Sequence, residues 1–98
     1  DTSFLERQAV ILCLELLMTT KEFDDLSIEA VAILQYAGYH YLIREKWIMG
    51  ITGAQTKDGG WLWNSAHKET NTHTSVLALW ALLEYTNPGR SLNWIGLD

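Results

Sequence analysis

"QTKDGGWLWN", residues 55–64, sets an amide, a carboxylate, two adjacent glycines and two tryptophans between two strongly apolar stretches. It is either a reaction site or a joint between helices, and its flanks decide the fold class. Before it, Leu42, Ile43, Trp47, Ile48 and Ile51 form a helical stripe that runs up to Gly53. After it and the polar "SAHKETN", Val76, Leu79, Trp80 and Leu83 fall on one face of a helix capped by Asn71 or Thr72. The stretch therefore joins helices, and its glycines permit a turn with φ > 0.

Outward from this joint the pattern stays helical. Ser3-Phe4-Leu5-Glu6 fits a capping box, and Leu5, Ala9, Leu12 and Leu16 recur at the spacing of one helical face, predicting a helix over 4–19 with Arg7, Gln8 and Glu15 in water. "KEFDD" is the first connection. Asp25 or Ser27 caps a second helix, and its residues Ile28, Val31, Ala32, Ile33 and Leu34 are apolar on nearly every side, as in an inner helix. Gly38 is a C-terminal cap or a close helix contact. From Tyr39 the stripe resumes toward Gly53, as a third helix or a kinked continuation of the second. Asn87-Pro88-Gly89 ends the last helix, and the tail "RSLNWIGLD" carries Leu92, Trp94, Ile95 and Leu97, an apolar end expected to dock on this chain or another. No alternating β-branched run appears, so the expectation is an all-α chain, residues 1–98 forming a single helical domain.

Composition narrows the partners. A chain of 98 residues buries only about 60 to 65 % of its unfolded surface, yet 48 % of it is apolar and it holds five tryptophans and four tyrosines. That surplus is expected to meet another polypeptide. With seven Lys and Arg against a net charge of −5, no basic stripe is available for nucleic acid or an anionic membrane. The longest apolar run, residues 9–14, is far shorter than the ~20 residues of a membrane span. Opening at Asp1 fits a processed product whose signal or propeptide has been removed. The lone Cys13, within "AVILCLELL", has no internal partner for a disulfide; it is a buried thiol or an interchain bridge.

Gln55, Gly59 and Trp61, after "KWIMGI" and before "HTSVLALWALLEY", resemble the repeat of α/α-toroid proteins, the helical ring shared by terpene cyclases and protein prenyltransferases. That resemblance implies helical hairpins, here a partial ring because a full one takes about six. It also implies structural roles for Gln55, Gly59, Gly60 and Trp61: the amide bonds the N-terminal backbone of a neighbouring helix and the indole packs on it. Glu29, Gly38-Tyr39, Lys46-Trp47, Ile51 and Gln55 are similarly spaced in an uncharacterised family of secreted animal proteins, a domain of unknown function, with "DGG" and "HTS" following less closely. Covering roughly residues 25–85, that likeness implies a secreted chain, the C-terminal part of a longer precursor. It supplies no catalytic residues.

Asp58, His67, Glu69 and His73 are the residues whose chemistry can divide acid and base roles or hold zinc. Their spacing matches no metal motif, and no metal or cofactor is implied. The prenyltransferase Asp, Cys, His zinc set does not transfer, since Cys13 precedes Asp58 within a helix. Tyr39, Trp47, Trp61, Trp63 and Trp80 are core residues or the lining of an apolar pocket. Two functions follow as expectations. In the first the chain is a non-catalytic structural or binding subunit of a secreted hetero-oligomer, its aromatic face packing on a partner and helping to enclose an apolar small molecule. In the second it belongs to an enzyme whose site a partner completes, with Asp58 and His73 contributed from here.

Overall fold

The computed structural model describes residues 2–89; the expected docking of Leu92, Trp94, Ile95 and Leu97 lies outside them. Within that span the chain is all-α: α1 (Ser3–Thr19), α2 (Asp25–Tyr36), α3 (Glu45–Gly53) and α4 (Thr72–Thr86), with a single 3-10 turn at His40–Leu42. The one β pairing among the described residues is an isolated bridge between Leu62 and Thr70.

The helix starts follow from side-chain acceptors, with two shifts from expectation. Ser3 is inside α1 and does not cap it; Thr2 holds the cap position and makes no side-chain cap bond. In α2 the cap is Asp24, whose carboxylate accepts from the Ser27 amide while the Ser27 hydroxyl accepts from the Asp24 amide. This capping box releases Asp25, the next residue, for a tertiary role. Asn71 caps α4 by accepting from the Thr74 amide at 2.9 Å. At the other end of α2, Gly38 has φ +95°, the Tyr39 amide donates to the Leu34 carbonyl and the Gly38 amide to that of Gln35. Those two bonds make a Schellman cap, so α2 stops there and α3 is a separate helix that starts only at Glu45.

α2 is the central element, packed against α1 on one side and α4 on another. Its start meets the start of α4, where Asp25 bonds His73 and Thr74. Further along, the Gln35 side-chain amide donates to the Ala81 carbonyl at 2.8 Å. Both contacts advance in the same direction, so α2 and α4 run parallel and the intervening residues cross over through α3. α1 runs antiparallel to α2, since the Tyr39 hydroxyl, just past the end of α2, donates to Glu6 near the start of α1 at 2.6 Å.

The helix faces differ from the sequence expectation in an instructive way. In α1 the inward residues are Val10, Cys13, Leu14 and Leu17, while Leu5, Ala9 and Leu12 are exposed and only Leu16 of the expected stripe packs inward. In α4 the fully buried positions are Thr74, Ala78 and Ala81, and Val76 and Leu79 face out. The cause is close approach: small side chains let α4 lie tightly along α2, and a stripe of Leu and Val would hold the two axes apart. Both outer helices are apolar on two sides.

The loop after α3 is fixed by Trp61. Its indole is buried and donates from Nε1 to the Ile51 carbonyl at 2.8 Å; its amide donates to Ser75 Oγ at 2.9 Å and its carbonyl accepts from the Asn71 amide at 2.7 Å. One residue thus ties the end of α3 to the start of α4. Gly59, at φ +91°, makes the turn, but Gly60 has no positive φ and is required for space: a Cβ there would stand 2.8 Å from Thr70 Cγ2.

Trp61→Ala is expected to cost about 3–5 kcal/mol, by loss of packing together with the Ile51 bond, and Gly60→Ala about 1–3 kcal/mol by overpacking on Thr70. Urea unfolding followed by tryptophan fluorescence for Gly60→Ala, and by circular dichroism for Trp61→Ala, measures both.

Candidate functional site

The residues singled out from sequence separate into two places. Asp58 belongs to the turn: its carboxylate accepts from the Thr56 hydroxyl and, at 3.3 Å, from the Gly60 amide. The Thr56 bond, then the Gly60 amide, holds its pKa below the usual carboxylate value. It is exposed and fully engaged in shaping the Thr56–Gly60 loop, which Thr56 N to Gly60 O at 2.8 Å closes. Gln55 joins the same loop, its Nε2 donating to the Gly59 carbonyl at 2.8 Å. The expected bond from Gln55 to a neighbouring helix is replaced by this local one, because the turn brings its own carbonyl within reach first.

His73 belongs to the α2–α4 junction. Its Nδ1 lies 2.8 Å from Asp25 Oδ1 and its Nε2 3.7 Å from Glu29 Oε2. The Thr74 hydroxyl donates to the same Asp25 oxygen at 2.5 Å, and the Asp25 amide donates to the Trp63 carbonyl at 2.8 Å. Asp25, at the first turn of α2, therefore gathers the first turn of α4 through its buried carboxylate and the loop beyond Trp61 through its backbone amide. The position suits an anion, since the N-terminal dipoles of two parallel helices converge on it. Asp25 was legible only as a candidate cap; the signal for its other role was the pair Asp24-Asp25, of which one residue suffices to cap.

Chemically, this geometry orients an imidazole. Asp25 fixes the Nδ1 side, leaving Nε2 toward Glu29 and solvent, with the Trp63 ring 6.5 Å away between centroids. Such an arrangement can pass a proton, yet His73 and Asp58 bond different partners and are not joined into one acid–base pair. His67 bonds Asn64 at 2.9 Å. Among the described residues no group of three or more His, Cys, Asp or Glu side chains is placed to hold a metal ion.

The aromatic residues do not form one face. Trp47 and Trp61 are core; Tyr39 is half-buried and tied to Glu6; Trp63 is exposed. Trp80 is half-buried, edge-on to Tyr36 at 5.3 Å, and its Nε1, like those of no other described residue but Trp47 and Gln35's Oε1 among buried polar atoms, lacks a described partner. Three cavities lined by described residues, of about 190, 180 and 170 Å³, each fall below the ~300 Å³ at which ligand pockets begin. Cys13 lines one of them, half-buried between α1 and α2, and burial followed by the nearby Glu29 charge pushes its thiol pKa up.

Compared with family models, with curated proteins and with solved structures, the chain matches none.

Asp25→Ala removes the acceptor of two tertiary hydrogen bonds and is expected to cost about 2–4 kcal/mol, whereas Asp58→Ala leaves the fold standing; chemical denaturation of both variants tests the contrast. Because the folded-state pKa of Asp58 is depressed, its contribution is present above the ordinary carboxylate range and lost as pH falls through the folded value, so Asp58→Asn should flatten the acid side of the stability profile. Cys13, with its pKa raised, should alkylate more slowly at neutral pH than a free thiol, as timed mass spectrometry would register.

Proposed function

We propose that this chain is a non-catalytic structural or binding subunit of a secreted assembly, a partial α/α ring whose outer apolar faces are covered by a partner chain. The observation that carries the reading is the outward turn of the large apolar residues. Phe4, Leu5, Leu12 and Met18 on α1, Leu26 and Ile33 on α2, and Val76 and Leu79 on α4 are all exposed. Scattered apolar residues are ordinary on a surface, but aligned stripes on three helices mark sites of association. The parallel α2 and α4, linked through α3, are the arrangement that stacking hairpins around a ring calls for, which supports the toroid likeness. A small apolar ligand would be enclosed between this chain and its partner, since each of the three cavities described above is too small to hold it.

A second reading is favoured by one observation, the orientation of the His73 imidazole by buried Asp25. In it the chain supplies His73 to an active site that a partner completes, and Asp58 contributes only by shaping the loop.

Cross-linking mass spectrometry on the native material, run with and without reduction, is the test. The structural reading expects links from α1 and α4 to another polypeptide and unchanged activity of the assembly in His73→Ala. Native material that contains only isolated monomers refutes it; loss of activity in His73→Ala with fold and assembly intact transfers the case to the second reading.

A further inference from the structure

We propose that His73 and Glu29 form a binding site for a divalent cation of the zinc class, held by His73 Nε2 and a Glu29 carboxylate oxygen, with Asp25 positioning the imidazole. The site goes beyond both functional readings above and depends on neither, since every residue in it belongs to the α2–α4 junction of this chain.

Asp25 decides which ring nitrogen is free. An ionised carboxylate only accepts hydrogen bonds, so the Nδ1 that lies 2.8 Å from Asp25 Oδ1 carries the ring proton. A neutral imidazole held this way presents the lone pair of Nε2, and Glu29 Oε2 stands opposite it at 3.7 Å. Glu29 follows Asp25 at i+4, one turn along the same side of α2. Among the described residues Glu29 accepts no hydrogen bond, and neither carboxylate has a Lys or Arg partner. Two acceptors therefore face each other, an arrangement that a positive charge between them satisfies.

Distance decides between a proton and a metal ion. An N–H···O bond spans about 2.7–3.2 Å, and 3.7 Å is too long for one. Two ligands of a tetrahedral zinc ion, each about 2.0–2.1 Å from it, stand about 3.4 Å apart, within a small side-chain adjustment of that separation. Charge agrees, because the two carboxylates outweigh the roughly +0.5 that each of the two helix starts contributes. An imidazole beside a carboxylate suits zinc, copper or nickel, whereas calcium and magnesium prefer oxygen alone. The bond from Nδ1 to Asp25 is the outer support that fixes the ring and tautomer of a histidine ligand. Asp25 itself stays outside the coordination shell, its Oδ1 already taken by His73 and the Thr74 hydroxyl. With side chains 56 % and 35 % exposed, His73 and Glu29 are reachable from solvent, and water completes the coordination.

Zinc titration of the chelator-treated full chain, followed by calorimetry and by nitrogen-resolved NMR of the histidine rings, tests the site. Saturable binding of one ion per chain is expected, with the His73 Nε2 resonance moving and those of His40 and His67 unmoved. Asp25→Asn should weaken binding about 10- to 100-fold, and Glu29→Gln and His73→Ala by more. Cys13→Ser, His67→Ala and excess magnesium should leave it unchanged. Glu29 and His73 face solvent, so their variants should keep the helical circular dichroism against which Asp25→Asn is checked. Absence of saturable zinc binding overturns the proposal, as does binding that persists in Glu29→Gln and His73→Ala. So does a His73 ring that carries protons on both nitrogens at neutral pH and does not respond to zinc, which would make the contact with Glu29 an ordinary ion pair.

Discussion

The Asp25 carboxylate is the constraint on which the remaining packing depends. Freed from capping by Asp24, it accepts from His73 and Thr74 and so pins the first turn of α4 to the first turn of α2. Gln35 fixes the same pair of helices lower down, through the Ala81 carbonyl. Two helices held parallel at both levels can close only through small side chains, and α4 supplies Thr74, Ala78 and Ala81. Once its small face is committed inward, its Val and Leu face has nowhere to point but outward. The exposed stripe is therefore a consequence of tight internal packing and not a lapse in it.

Trp61 plays the complementary part at the other edge of the crossover. Its three backbone and side-chain bonds hold the end of α3, the turn and the start of α4 in one unit, and the turn beneath it consumes Gln55, Asp58 and the two glycines. A loop that looks rich in chemistry proves to be fully employed in connecting helices. The residue left with chemical freedom is His73, oriented from one side and open on the other.

Much of this was legible in the sequence. Helix positions follow from apolar period, Gly38 marks either a helix cap or a close helix contact, and the structural duty of Trp61 is what the likeness to toroid repeats implies. The helix faces were not legible. In α1 the sets Leu5, Ala9, Leu12, Leu16 and Val10, Cys13, Leu14, Leu17 interleave, and periodicity alone does not say which is buried. In α4 the larger residues outrank the alanines on any hydrophobic scale, yet close approach rewards the alanines. The Asp25–His73 pair was hidden because its members are 48 residues apart and meet only when the helices pack.

The central claim is that α4 gives its alanines to α2 and keeps Val76 and Leu79 for another surface. Carbene footprinting of the dilute chain, resolved by residue, tests it most directly. The account predicts strong labelling of Leu12, Val76 and Leu79 with Ala78, Ala81 and Trp61 protected. Labelling of Ala78 and Ala81 with Val76 and Leu79 protected would contradict it.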